Sequence, residues 1–101
     1  MSEIIDKLIK TIKSRKGNDI KSSYTSFLLS KGNDYCLNKL KEELGEFEEA
    51  IKDKKNTIHE TADVIYHLLV TLESAGINFD DIIKEIQKRE GTSGFEEKKN
   101  R

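Results

Sequence analysis

The chain contains no proline in its 101 residues, and this absence is the strongest constraint on its fold. Proline is the residue that most often ends or kinks a helix, because its ring removes a backbone hydrogen bond. Apolar residues also recur every three or four positions along most of the chain, which is typical of helices with one buried face. We therefore expect an all-α protein.

Four to five helices are expected, forming a bundle. The spacing predicts helices from Ser2 to Arg15, over 22–30, from Asp34 to Lys54, from Thr57 to Ala75 and from Asn78 to Glu90. Asn33 or Asp34 is the expected cap of the third helix, and Thr57 with Glu60 has the pattern of a capping box. Gly76 suits a left-handed helix end.

The third and fourth helices carry the clearest apolar faces: the stripe of the third must pack on another surface, and the fourth, the most apolar helix, is expected to lie centrally in the bundle. The two faces comprise Leu37, Leu40, Leu44, Phe47 and Ile51 in the third helix, and Ile58, Ala62, Ile65, Leu68, Leu69 and Leu72 in the fourth. Only 35% of the residues are hydrophobic, and small domains bury a smaller share of their surface. We therefore expect homodimerisation to complete the core of a single domain spanning 1–101.

Composition and charge exclude several classes of protein. The 18 basic and 19 acidic residues nearly cancel to a net charge of −1, which disfavours nucleic acid as a partner. No apolar run approaches the roughly 18 residues of a membrane span, so no membrane partner is expected. The single Cys36 cannot form an intramolecular disulfide, which favours a cytoplasmic location.

Acidic residues form two pairs on the third and fourth helices. At about 100° per residue, Glu43 lies about 80° and Glu46 about 140° from the centre of the third helix's apolar stripe. Glu60 and Asp63 share a sector about 60° wide with His67 on the fourth helix. A short connection makes these helices antiparallel neighbours, so the two pairs are expected to face each other.

Four carboxylates in one place repel one another unless a cation compensates them. Oxygen ligands favour hard ions such as Mg²⁺, with Mn²⁺ a possible substitute, and such ions assist hydrolysis of phosphoanhydrides. However, charge runs on helices are usually solvated faces, so the same acids also fit a non-catalytic helical interaction module. A lone histidine on a helix is more often a hydrogen-bonded structural residue than a catalyst, and we expect this role for His67.

Four segments resemble the phosphoribosyl-ATP pyrophosphohydrolases, which belong to the all-α nucleoside triphosphate pyrophosphatase superfamily that includes the MazG proteins. The segments are Ser23-Tyr-Thr-Ser-Phe-Leu-Leu-Ser-Lys-Gly32, Lys39-Leu-Lys-Glu-Glu-Leu-Gly-Glu46, Glu60-Thr-Ala-Asp-Val-Ile-Tyr-His-Leu-Leu-Val70 and Gly91-Thr-Ser-Gly-Phe-Glu-Glu-Lys98. The acidic segments alone indicate the superfamily, and the others point to this family within it. The resemblance implies Mg²⁺-dependent hydrolysis of phosphoribosyl-ATP to phosphoribosyl-AMP and pyrophosphate, the second step of histidine biosynthesis.

The resemblance also implies roles for particular residues. It makes Glu43, Glu46, Glu60 and Asp63 the metal ligands, and Glu42, Glu43 and Glu46 the catalytic acids, with Glu42 a weaker candidate for water activation. Contacts to the nucleotide substrate are implied for Ser23, Tyr24, Thr25, Lys31 and Lys39, although core packing is an equal alternative for Tyr24.

Some points stay open at the level of sequence. A house-cleaning pyrophosphatase of the same superfamily, acting on free or modified dNTPs, would have a similar centre. Lys41 stands where the family often has glycine before its paired glutamates, which a helix should tolerate. The charged tail 91–101 could close over a bound polyphosphate through Lys98, Lys99 and Arg101, or merely keep the chain end soluble.

Overall fold

The computed structural model describes residues 2–91, 94 and 95, and these residues form five α-helices and no strand. The helices are α1 (Glu3–Arg15), α2 (Tyr24–Lys31), α3 (Asn33–Asp53), α4 (Thr57–Ser74) and α5 (Phe79–Arg89). The prediction of an all-α bundle is confirmed. None of these helices is both long enough and apolar enough to cross a bilayer. The three basic residues assigned to the tail, Lys98, Lys99 and Arg101, lie outside the described residues.

Two of the helix ends follow the local sequence closely. The Asn78 side chain accepts a hydrogen bond from the Asp80 amide at 3.0 Å, which caps α5 as expected. Gly76 follows α4 with a φ of +74°, the left-handed conformation that glycine adopts without steric cost. Both predictions are confirmed.

Two expected caps are wrong, because the residues expected to cap these helices already lie in their first turns. Gly32, with a φ of +88°, precedes α3 directly, so Asn33 and Asp34 already belong to its first turn. Asn56 precedes α4 in a left-handed conformation, and Thr57 instead donates its hydroxyl to the Ala50 carbonyl at 3.3 Å. The expected capping box is therefore absent, which leaves the Glu60 side chain free to point elsewhere.

A small apolar core lies where the first four helices meet. Its buried members are Ile12 from α1, Leu28 from α2, Cys36 from α3, and Leu69 and Val70 from α4. An ion pair of 2.8 Å between Lys13 and Glu73 ties α1 to α4 at the edge of this core. The packing holds α2, α3 and α4 together, which are the helices that carry the predicted site.

The fourth helix lies centrally, in contact with α1, α2 and α3, but much of the apolar surface of α3 and α4 points outward. Six of their large side chains are between 41% and 88% exposed in the isolated chain: Leu37, Leu44, Ile51, Ile58, Ile65 and Leu68. We call these six residues the outer apolar face. The side of α3 that faces the chain's interior instead carries Cys36, the partly buried Glu43 and Ala50. Hydropathy identified the stripe correctly but could not tell a core face from a second apolar surface.

Candidate active site

The helices α3 and α4 form a hairpin that brings the two acidic pairs together. They are joined by residues 54–56 and pack against each other more extensively than any other pair of described helices. Lys54 and Asn56 both adopt left-handed conformations, with φ values of +57° and +59°. This tight turn reverses the chain, so that the face of α4 bearing Glu60 lies against the face of α3 bearing Glu43.

The carboxylates converge on two overlapping groups. One carboxylate oxygen from each of Glu43, Glu46 and Glu60 lies within 4.8 Å of the other two, which joins both helices in one acidic centre. Glu60 also belongs to a second group with Asp63 and His59, whose ligand atoms satisfy the same distance. Like charges at these distances repel strongly, so the arrangement is costly without a compensating cation.

Two observations show that carboxylates of this centre lack favourable partners. The Oε2 atoms of Glu43 and Glu60 are buried and have no hydrogen-bond partner among the described residues. Burial raises the pKa of Glu43 from 4.5 to about 7, and the neighbouring Glu46, Asp63 and Glu60 add to the shift. Buried carboxylate oxygens with open lone pairs fit a hard divalent cation such as Mg²⁺. These residues therefore fit the metal that the resemblance implies.

Basic side chains lie beside the acids, over an aromatic ring. The ammonium groups of Lys31 and Lys39 are 5.3 and 5.6 Å from the centroid of the Tyr35 ring, within the range of a cation–π contact. Lys39 also forms an ion pair of 3.1 Å with Glu42, and this pairing is the main reason that the pKa of Lys39 is raised. Lys39 is thus held beside Glu42, while Lys31 lies against the same tyrosine ring.

An open groove runs along α3 next to the same centre. It has a volume of about 730 Å³, is widely open to solvent and, in the part of the chain that the structure describes, is lined only by α3 residues, which include Lys39, Glu42, Glu43 and Glu46. The groove therefore carries both signs of charge along one wall. A polyphosphate with a bound divalent cation needs such a surface, because its phosphates and its metal require opposite partners.

The α2 residues predicted to touch substrate have different environments. Tyr24 is 52% exposed, so core packing does not account for it. Partial burial is the main reason that its pKa is raised; Lys39 opposes the shift, whereas Tyr66, Tyr35 and Glu43 add to it. Thr25 and Tyr66 share a short hydrogen bond between their hydroxyls. The Ser23 hydroxyl caps α2 by accepting a hydrogen bond from the Ser26 amide at 3.1 Å. This is a structural role, whereas the resemblance implied a substrate contact.

Sequence reasoning missed three residues that line this region. His59 has its Nε2 atom 3.4 Å from Asp63 Oδ2, and its position four residues before Asp63 on a helix could have revealed it. Tyr35 supports the two lysines, and Tyr66 contacts Thr25 and stacks at 6.4 Å on Tyr24. Tyr35 precedes Lys39 by four residues on α3, a spacing that could have revealed their contact, whereas Tyr66 carried no such signal because its contacts with Thr25 and Tyr24 join different helices.

Comparison with known proteins gives the chain a family. The phosphoribosyl-ATP pyrophosphohydrolase family matches residues 5–90. The chain belongs to this family. The resemblance drawn from the four sequence segments is thereby confirmed. Every predicted site residue, from Ser23 to Asp63, lies inside the part of the chain that matches the phosphoribosyl-ATP pyrophosphohydrolases.

Individual relatives agree with this assignment. The chain is 43% identical over 101 residues to a phosphoribosyl-ATP pyrophosphatase of Dechloromonas aromatica, covering 98% of this chain and 94% of that protein. It is 48% identical over 90 residues to one of Clostridium acetobutylicum, covering 87% and 82% respectively. It also resembles the histidine biosynthesis bifunctional protein of Wolinella succinogenes, at 42% identity over 97% of this chain but only 44% of that longer protein.

Proposed function

We propose that this chain hydrolyses phosphoribosyl-ATP to phosphoribosyl-AMP and pyrophosphate in histidine biosynthesis, using Mg²⁺, with Mn²⁺ as a substitute. The observation that carries the proposal is the convergence of Glu43, Glu46 and Glu60 from two facing helices, in a chain of this family. The relatives named above are called phosphoribosyl-ATP pyrophosphatases, which supplies the substrate.

The four carboxylates Glu43, Glu46, Glu60 and Asp63 would hold the ion. A bound divalent cation would neutralise phosphate charge and make water easier to deprotonate. The Oε2 atoms of Glu43 and Glu60 support this assignment, because they have no partner among the residues that the structure describes and a buried carboxylate oxygen is costly unless it is bonded.

Other residues would bind the substrate and move a proton. Lys31 and Lys39 would meet substrate phosphates as point charges. Glu42 forms an ion pair with Lys39 beside the groove. Its carboxylate would take the proton from the attacking water. Ser23, Tyr24 and Thr25 would contact the nucleotide from the α2 side.

The functional unit in this proposal is a homodimer. The outer apolar face comprises six large side chains on two adjacent helices. Apolar residues scattered singly over a surface are normal, but a larger exposed group marks an interaction surface. A second copy supplies the same face, and two antiparallel helices from each copy can pair as a four-helix bundle. The small core of the isolated chain supports the same proposal. The buried, unpaired Cys36 fits a reducing compartment, so we place the enzyme in the cytoplasm.

The decisive experiment measures pyrophosphate release from phosphoribosyl-ATP and from a panel of dNTPs, with Mg²⁺, with Mn²⁺ and with chelator. We expect stoichiometric release from phosphoribosyl-ATP only when a divalent ion is present. Glu46→Gln and Asp63→Asn should reduce turnover by at least about 100-fold, since even the partners of metal ligands contribute about 10–100-fold. Glu85→Gln, on α5, serves as the matched control.

Three outcomes separate the alternatives. Preference for a dNTP over phosphoribosyl-ATP would replace this proposal with a house-cleaning pyrophosphatase. No hydrolysis, together with no effect of either ion on the melting temperature, would instead favour a non-catalytic helical interaction module. Full turnover in chelator would refute the role given to the four carboxylates.

A further inference from the structure

A buried histidine lies between the acidic centre and the exposed tyrosine of α2. His67 is only 6% exposed, and both of its ring nitrogens have hydrogen-bond partners. Its Nδ1 atom is 2.9 Å from the backbone carbonyl oxygen of Asp63, one helical turn earlier on α4. Its Nε2 atom is 3.4 Å from the hydroxyl oxygen of Tyr24 on α2.

These two contacts fix the direction of each hydrogen bond. A carbonyl oxygen can only accept, so Nδ1 of His67 must carry a proton and donate it to Asp63. In the neutral imidazole the other nitrogen is then an acceptor, and the Tyr24 hydroxyl donates to Nε2. The imidazole therefore links the backbone at Asp63 to the phenol of Tyr24 in one defined arrangement.

Ring contacts hold the same arrangement from the sides. The His67 ring meets Tyr24 edge-on with centroids 6.0 Å apart, and meets Tyr66 edge-on at 5.0 Å. Tyr24 in turn stacks on Phe27 at 6.4 Å. Tyr24 is thus held at its hydroxyl and by the rings of His67, Tyr66 and Phe27, although half of its surface remains exposed.

We propose that His67 is a positioning residue. It accepts a hydrogen bond from the Tyr24 hydroxyl while donating one to the Asp63 carbonyl, and so holds the Tyr24 ring in place for substrate. The proposal rests on the proposed function, since the substrate in question is phosphoribosyl-ATP. Tyr24 stacks on Phe27, and the Lys31 ammonium is 5.8 Å from the centroid of the Phe27 ring, so a ring fixed there lies next to a lysine proposed to bind the polyphosphate. His67 itself does not contact substrate in this arrangement.

The two amide replacements of histidine separate its two hydrogen bonds. The side-chain amide of asparagine reaches about as far as Nδ1, so His67→Asn can keep the bond to Asp63 but loses Tyr24. The longer glutamine reaches about as far as Nε2, so its amide oxygen can accept the Tyr24 hydroxyl. Tyr24→Phe removes the same bond from the other side while keeping the ring.

We expect His67→Asn and Tyr24→Phe each to raise KM for phosphoribosyl-ATP by about three- to tenfold, which corresponds to one hydrogen bond. Because the bond positions a binding group, kcat should change by less than about twofold. The double variant should have a KM no higher than that of either single variant, since the two substitutions remove the same hydrogen bond. His67→Gln should restore KM to within about twofold of the parent value.

A purely structural role for His67 predicts a different result. Thr71→Val is the matched control, because Thr71 is also buried on α4 and donates its hydroxyl to the His67 carbonyl at 2.7 Å. It should lower the melting temperature without changing KM. An equal rise in KM in this control, additive effects in the double variant, or failure of His67→Gln to recover KM would each overturn the proposal.

Two measurements keep the inference distinct from the proposed function. The chain has only two histidines, so long-range ¹H–¹⁵N spectra resolve them, and His67 should show the Nδ1–H tautomer with an Nε2 signal that shifts in Tyr24→Phe. The Nε2–H tautomer would overturn the inference even in an active enzyme. Equilibrium binding of phosphoribosyl-ATP in Ca²⁺ tests the substrate contact without turnover, and a parent protein that neither binds nor hydrolyses it would overturn both proposals.

Discussion

Removing the charge of Glu43 should stabilise the metal-free protein at neutral and alkaline pH. The pKa of this carboxyl is raised to about 7, chiefly by burial and then by the carboxylates around it. Between pH 4.5 and 7 the folded state therefore keeps a proton that the unfolded chain has lost, so stability falls as the pH rises. In Glu43→Gln the neutral amide removes this dependence.

The size of the effect follows from the same pKa. A tenfold change in proton affinity corresponds to about 1.4 kcal/mol, so raising the pKa of Glu43 from 4.5 to about 7 represents at most about 3 kcal/mol. The site opens onto a groove, and water and salt screen part of the repulsion. We therefore expect Glu43→Gln to be more stable than the parent by about 1–2 kcal/mol at pH 8, and equal to it near pH 4.

Urea unfolding in chelator at pH 4, 6 and 8 measures this difference, with the protein concentration held constant because the dimer proposed here would couple to it. Glu49→Gln is the control, since it removes an exposed carboxylate from the same helix. Mg²⁺ at about 100 times its Kd should add about 2.7 kcal/mol to the parent and clearly less to Glu43→Gln. A metal-free Glu43→Gln variant less stable than the parent at pH 8 would refute the reasoning.

Substitutions at three further positions test the oligomeric state, the core packing and a helix cap. Leu44→Lys places a charge in the outer apolar face, so sedimentation should show a monomer at concentrations where the parent is a dimer; an unchanged dimer would contradict our assignment of that face. Leu28→Ala empties a fully buried position and should cost about 2–5 kcal/mol in the free energy of unfolding, measured by urea titration. Ser23→Ala removes the cap of α2 and should cost about 1 kcal/mol, whereas Ser23→Gly should cost only a few tenths.

The helical architecture could be predicted because helix formation is local. Apolar residues spaced by three and four, an asparagine before α5 and a glycine after α4 each act within a few residues of their own position. The pairing of Glu43 and Glu46 with Glu60 could also be predicted, since a three-residue connection forces neighbouring helices to be antiparallel. These inferences need only helical geometry.

Which face of each helix points towards the core could not be predicted from helical geometry alone. Leu44 and Ile58 have the hydropathy of core residues, yet they are exposed in the isolated chain, while the charged Glu43 points into the protein. Such a reversal depends on which surfaces meet in three dimensions. Contacts between distant positions, such as Tyr24 with His67, were invisible for the same reason, because 43 residues separate the partners.

The short α3–α4 turn also affects how the protein folds. All four acids lie between Glu43 and Asp63 on one hairpin, so their repulsion arises as soon as the two helices meet, before distant parts of the chain need to join. Local contacts of this kind form early in folding. A divalent cation should consequently accelerate folding itself, as well as slowing unfolding. The acidic centre would then limit the folding rate as well as serve hydrolysis.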